Sequence, residues 1–370
     1  MKIILQKNHL MNAINIVSRA IASNSPMEIL ECILVETTPD DVRLIANDTE
    51  LAIETHIPAM IEVPGKIALK ARFFSDVIRK LPDSELVIET DEKGMTSITC
   101  EKIHFNIGGM TGDDFSRLPQ VEKDKKVVMS QFDFKEMIRQ TIFSVSDNAN
   151  SRLMTGELLS ISDNVLTVTS LDGHRISVRK KELAGSNEDM EVIVPGKTLS
   201  EVSRILPGEA EDEVSLYVTE NHILFEFEQT KVVSRLLEGK FYNITQMLSA
   251  DYETKVIVNK NQFHQCLDRS TLFVRDSSRK PVIMKFAGDQ MDLTIASQFG
   301  SMNDQLQIVK EGKDLTIGFD PKFLVDALRV IDDEEVSLYL INPIAPCIIR
   351  NDDGSYFYLI LPINVNNNYA

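Results

Sequence analysis

The feature that most constrains this chain is a pattern it writes three times. Residues 192–227 read as a strand, an amphipathic helix and two alternating strands, and a shift of 125 residues in either direction finds the same order. Val192 then lies over Ile67 and Ile317, and the helix anchors Leu199, Val202 and Leu206 lie over Phe74, Val77 and Leu81, and over Leu324, Ala327 and Ile331. Anchors at i, i+3 and i+7 share one face of a 3.6-residue helix. A basic pair repeats with them: Arg72 and Arg79, Lys197 and Arg204, Lys322 and Arg329. At about 100° per residue, Lys197 lies roughly 140–180° from the anchors Val202 and Leu206. Each of these helices is predicted to bury one side and present two cations on the other.

A repeat of this period in 370 residues predicts three domains, read as 1–122, 126–250 and 254–370, with polar linkers at 118–126 and 249–255. Each third also opens with a strand and a helix of its own. These leading helices are read at about 8–22, 131–144 and 260–273. Their stripes are Leu10, Ile14, Val17 and Ile21, then Phe134, Ile138 and Ile142, then Phe263 and Leu267, with Arg19 pointing away from the first. Each third is thus two β-α-β-β-β halves. The class is α+β, with helices on one side of antiparallel sheets.

The chain carries a net charge of −17, which by itself disfavours a polyanion, yet the six helical windows carry about +6. The acidity sits on strands and loops. A protein acidic elsewhere and basic along one set of helices can hold a polyanion on one surface and repel it from the rest. Lys and Arg contacts to phosphate carry no sequence information, so such binding is expected to be non-specific and salt-sensitive. The same pattern also fits a repeat-built protein-binding scaffold that never touches DNA. The start of the chain turns polar by Gln6, too early for the apolar core of a signal peptide. No apolar run approaches the roughly 20 residues that span a membrane, so a cytoplasmic location is expected. Cys32, Cys100, Cys266 and Cys347 lie far apart with no paired spacing and are read as packed, reduced thiols.

Two stretches resemble chemistry. Gly196-Lys197-Thr198 looks like the end of a phosphate-binding loop, but Glu191 stands where that loop needs a glycine. Asp172-Gly173-His174-Arg175 reads either as an Asp–His pair or as a hairpin turn, and no nucleophile motif accompanies it. The remaining histidines, His9, His56, His104, His222 and His264, have no metal-ligand spacing. No catalytic residue, metal or cofactor is expected.

Several segments together carry a family likeness: 171–176 (LDGHRI), 192–195 (VIVP) with Lys197, 237–241 (LEGKF), 317–319 (IGF) and 361–363 (LPI). With the threefold repeat they make the whole chain resemble the bacterial sliding clamps, the β subunits of DNA polymerase III. The resemblance implies a head-to-tail homodimer whose six domains close a ring around duplex DNA, with helices lining the hole. It also implies a clamp loader, a replicative polymerase and other replication or repair proteins as partners.

Residue by residue, the resemblance places DNA contacts at Arg19, Asn24, Arg72, Arg79, Asn148, Arg152, Lys197, Arg204, Lys322 and Arg329, with Asn24 standing where a basic residue is common. It places a partner-peptide pocket at Met154, Leu171, Gly173, His174, Arg175, Ile176, Met247, Phe323, Ile344, Leu359, Leu361, Pro362 and Ile363. Leu, Ile, Met and Phe beside a turn suit adaptable apolar binding. The dimer interface is expected at Phe105 and Ile107 on the first domain and at Leu272 and Phe273 on the third.

Overall fold

The computed structural model describes residues 1–22, 25–116, 118–148, 150–248, 251–274 and 280–364. Six α-helices occur among them: α1 (Lys7–Val17), α2 (Ala71–Lys80), α3 (Gln131–Arg139), α4 (Gly196–Ile205), α5 (Lys260–Thr271) and α6 (Pro321–Val330). All nine anchors of the repeated helix are at most 5% exposed, while Arg72, Arg79, Lys197, Arg204, Lys322 and Arg329 are all exposed. The six helices hold twelve Lys and Arg against six Asp and Glu, so the basic bias of the helices survives in the fold.

Local chemistry sets the helix ends. Asn259 caps α5 by accepting the Gln262 N–H at 3.0 Å, and Asp320 caps α6 by accepting that of Lys322 at 3.0 Å. Pro321 opens α6, where its missing N–H costs nothing. Leu81 leaves α2 in an extended conformation ahead of Pro82, a residue that disfavours helix before it. The leading helices stop earlier than the apolar stripes predict. A 3-10 turn at Ser18–Ala20 follows α1 and carries Arg19, and another at Ile142–Ser144 follows α3. After α3, the Thr141 hydroxyl donates back to the Met137 carbonyl at 2.8 Å, a bond that loosens a last turn.

The chain forms two compact units. The first comprises Met1–Phe134 and Glu201–Leu236. Its eight-stranded sheet runs Lys126–Ser130, Glu213–Val218, His222–Phe227, Thr230–Arg235, Leu51–Pro58, Asp41–Asn47, Cys32–Thr37, Lys66–Lys70. The first and second thirds of the sequence therefore meet inside one sheet, with Leu51 opposite Ser234. A five-stranded sheet in this unit runs Met60–Val63, Lys2–Gln6, Glu85–Thr90, Met95–Cys100 and Ile103–Gly108.

The second unit comprises Lys135–Ser200 and Leu237–Ala370. Its nine-stranded sheet runs Met190–Pro195, Gly156–Ser162, Val165–Leu171, Arg175–Glu182, Tyr356–Ile360, Cys347–Arg350, Glu335–Leu340, Thr254–Asn259, Val309–Gly312. Here the second and third thirds meet, with Arg175 opposite Ile360. A four-stranded sheet runs Gly300–Gln307, Gln290–Ser297, Val282–Ala287 and Leu315–Phe319. Every strand pairing among the described residues named here is antiparallel.

Two short strands were not expected, Met60–Val63 and Val309–Gly312, which pair at the sheet edges in the first and third repeats. The four cysteines are free and buried, and burial pushes the thiols of Cys266 and Cys347 up to about 12. One buried polar group stands out. Glu157 is fully buried and neither carboxylate oxygen has a hydrogen-bond partner. Burial pushes its carboxyl up to about 8.

Candidate functional site

The hairpin between strands Val165–Leu171 and Arg175–Glu182 builds the site. Gly173 has φ +88°, a left-handed conformation that a side chain resists, and it is exposed at the tip. Asp172 Oδ1 accepts the backbone N–H groups of His174 at 2.9 Å and Arg175 at 3.1 Å, and its Oδ2 accepts Arg175 Nε at 2.9 Å. These bonds make Asp172 the anchor of a turn, the structural alternative for this motif.

Beyond the turn, residues alternate between the two faces of the sheet. Leu171, Ile176, Val178 and Leu359 form a buried apolar floor together with Ile193 and Phe241. Leu153, Met154, Leu158, Leu237, Ile244, Leu248 and Phe357 pack against it, partly buried. Ile176 lies opposite Leu359 and Val178 opposite Phe357, so the join between the two repeats runs through the floor itself. Of the predicted pocket residues, Leu171, Ile176, Leu359 and Met154 are brought together here. Phe241, Leu248 and Phe357 are not among the expected pocket residues. Phe241 closes the LEGKF segment, and the alternation of strand Tyr356–Ile360 points to Phe357.

His174, Arg175 and Phe323 form a second cluster. The His174 and Phe323 rings stack with centroids 6.0 Å apart and planes 17° apart. The Arg175 guanidinium lies 4.7 Å from the Phe323 centroid and 5.4 Å from that of Phe143. It also donates to Asp326 Oδ2 at 2.7 Å, and its side chain is only 11% exposed. Arg175, expected to line the pocket, is a largely buried strut held by two carboxylates and two rings.

The C-terminal strand continues past this cluster. Leu361 donates its N–H to the His174 carbonyl at 2.9 Å, and Ile363 donates to Gly318 O at 2.8 Å, which places Pro362 between two anchored residues. Leu361, Met247 and Ile344 are 40%, 54% and 74% exposed, so apolar surface stays open beside the floor at Leu361. Met247 and Ile344 are outside the packed cluster.

The predicted DNA contacts are surface residues. Arg19, Arg72, Arg79, Asn148, Arg152, Lys197, Arg204, Lys322 and Arg329 are exposed, and Asn24 lies outside the described residues. Several are partly compensated. Arg79 pairs with Asp76 at 3.3 Å, and Glu201 receives both Arg204 at 2.6 Å and Arg19 at 3.6 Å. The Arg79–Asp76 pair is exposed on both sides and so weak and exchangeable, whereas Glu201 is only 14% exposed.

Of the interface residues, Leu272 is 61% exposed, and Phe105 and Phe273 are half-buried. Ile107 is only 5% exposed within the chain, while Ile103 on the same face of the strand is 38% exposed, so at residue 107 it is the edge backbone that stays open. Gly196 is a packing glycine, since a Cβ there would sit 2.9 Å from Val145 Cγ1 and 3.0 Å from the Thr155 carbonyl, a reason for glycine that needs no phosphate. A cavity of about 720 Å³ lies elsewhere, in the first unit, against Phe115, Ser116 and residues 118–123. Its Glu36, Arg43, Glu54 and Lys231 charges pair with one another. Among the described residues, no cluster of His, Cys, Asp or Glu fits a metal ion, and no helix is long and apolar enough to cross a membrane.

Comparison with known proteins decides the family. Residues 1–119, 128–243 and 245–364 match, in order, the N-terminal, central and C-terminal domains described as DNA polymerase III beta subunit. The chain belongs to the DNA polymerase III beta subunit family. It is 32% identical to a Bacillus subtilis protein named beta sliding clamp over 377 residues, 98% of this chain and 99% of that one. A Staphylococcus epidermidis beta sliding clamp is 31% identical over 374 residues, 98% and 99% of the two chains. Among solved structures, a putative DNA polymerase III beta subunit from Eubacterium rectale is 54% identical with TM-score 0.95, covering 99% of this chain and all of that one. The Bacillus subtilis sliding clamp structure is 31% identical, with TM-score 0.95 and coverage of 99% and 100%. The three-domain reading of the repeat, antiparallel sheets with helices, is thus the architecture of the family.

Proposed function

We propose that the chain is a non-catalytic DNA sliding clamp, a processivity factor that encircles duplex DNA as a head-to-tail homodimer and tethers the replicative polymerase. The domains are read as 1–122, 126–250 and 254–370. The observation that carries this reading is the way the repeats join. In both joins within the chain, a hairpin strand of one repeat pairs with the last strand of the next. Leu51–Pro58 takes Thr230–Arg235, and Arg175–Glu182 takes Tyr356–Ile360. One hairpin strand and one last strand are left over, Gly300–Gln307 and Ile103–Gly108, and each is an open edge of its short sheet. Open edges are pairing sites, and a second copy closes both at once by symmetry.

The expected interface residues fit this arrangement. Phe143 follows α3 as Leu272 follows α5, and Tyr358 is the third residue of its strand as Phe105 is of its own. Within the chain, the Phe143 and Tyr358 rings lie 5.7 Å apart, which supports Leu272 packing on Phe105 of a second copy.

A ring needs only weak, sequence-blind contacts to its DNA, and the exposed cations of the helices supply them. A protein-binding scaffold gives no reason for the same basic pair in every repeat. The floor of Leu171, Ile176 and Leu359, with Met154, Met247 and Leu361, is read as the dock for short apolar peptides of the polymerase, the clamp loader and other DNA-processing proteins. The test is extension of a primed long template by the cognate polymerase and loader. The products should lengthen many-fold when the chain is present. Equal lengths with and without it would remove the reading.

A further inference from the structure

The joins within the chain repeat residue for residue, which allows the joint between copies to be written out. In both, the first residue of the hairpin strand lies opposite the fifth residue of the last strand: Leu51 opposite Ser234, and Arg175 opposite Ile360. Laid on the leftover strands, the same rule sets Gly300 opposite Ile107 and Met302 opposite Phe105 of the second copy. The backbone bond from Leu361 N–H to the His174 carbonyl becomes one from Gly108 N–H to the Phe299 carbonyl.

The side chains at this joint are not those of its counterpart in the second unit. There, His174 precedes the hairpin strand and stacks on Phe323, the third residue of α6, while Arg175 bonds Asp326, the sixth. At the joint between copies, the residue preceding the strand is Phe299 and the third residue of α2 is Phe73. Arg175 is replaced by Gly300, whose φ of +135° disfavours any side chain, so the ion pair cannot recur and Asp76 turns to Arg79 on its own helix. Phe299 and Phe73 are 61% and 58% exposed, among the more exposed large apolar side chains described, and neither ring stacks on another ring among the described residues.

Resting on the homodimer reading, we infer that Phe299 of one copy packs on Phe73 of the other, forming an aromatic clasp where the join within the chain uses a His–Phe stack and an ion pair. Two such clasps close the dimer. The occupant of each exposed ring is thus the other ring of a second copy. A pair of rings loses more apolar surface than an imidazole and a ring, and it needs no charge partner. The subunit joint should accordingly depend little on salt.

The test places Phe73→Cys in one batch of chain and Phe299→Cys in another, since the four native cysteines are buried. A bismaleimide with a short arm (about 8 Å, on the scale of stacked rings) should link the two variants into a two-chain species when they are mixed, and neither variant to itself. In parallel, Phe73→Ala and Phe299→Ala should each weaken the dimer at least about tenfold by sedimentation, and the double variant by clearly less than the product of the two. A stable dimer that gives no link and is insensitive to both alanines overturns the clasp while leaving the homodimer intact. An unaltered chain that stays monomeric at micromolar concentration overturns both.

Discussion

The Arg175 guanidinium reaches Asp326 at 2.7 Å across the seam where two repeats share one sheet. The same side chain holds Asp172 at 2.9 Å and lies over the Phe323 ring, so a single cation pins the hairpin, the seam and helix α6 together. Replacing it with Ala should cost about 1–3 kcal/mol in denaturant unfolding, less than a fully buried pair because Asp326 keeps some water. Lys should not restore the loss, because it lacks the planar fork that bonds two carboxylates while stacking on a ring. Full rescue by Lys would show that the charge alone matters.

Glu157 makes the stability of the chain depend on pH. Its carboxyl is raised to about 8 in the fold by burial. The folded state therefore holds a proton that the unfolded chain releases near its ordinary value of about 4.5. Its contribution is present in full below about pH 4.5 and is lost as pH rises to about 8, a span worth on the order of 4–5 kcal/mol. Glu157→Gln should flatten the stability profile between those limits and raise the melting temperature at pH 8. A parallel drop in variant and wild type would assign the pH dependence to other groups.

Exposed residues beside the apolar floor offer a test of the pocket that spares the core. Met247→Ala and Leu361→Ala should each weaken binding of a labelled apolar peptide from the cognate polymerase by about tenfold, consistent with losing part of a buried side-chain contact. Their melting temperatures should stay within about a degree of wild type, since both side chains are at least 40% exposed. Unchanged peptide affinity in both variants would move the docking site elsewhere.

Neutralising Arg72, Lys197 and Arg204 together should weaken retention on DNA and reduce its dependence on salt. The dimer should persist, because these side chains are not part of the proposed joint. If retention and its salt slope matched wild type, the helix faces would not be the DNA surface.

Much of this architecture was legible because burial and charge obey one period. Phe74, Leu199 and Leu324 are buried and Arg72, Lys197 and Lys322 exposed in three helices, and a periodic pattern records both at once. The Asp172-Gly173 turn was legible from its own chemistry. The strut role of Arg175 was not, because Asp326 is 151 residues away and only the fold joins them. The burial of Ile107 within its own chain was not legible either, because Ile103, Phe105 and Ile107 share one face of the strand and differ only in what the fold packs over them. The Phe73–Phe299 relation needed the register of both joins, which a sequence period alone locates only to within a residue or two.

The most direct test of the whole account is topological. The chain should be loaded onto a primed circular duplex and its retention followed at high salt, before and after the circle is cut once. A ring held by its closure should stay on the closed circle and leave within minutes of linearisation, by sliding off the ends. Equal loss from circular and linear DNA would contradict encirclement and, with it, the central claim.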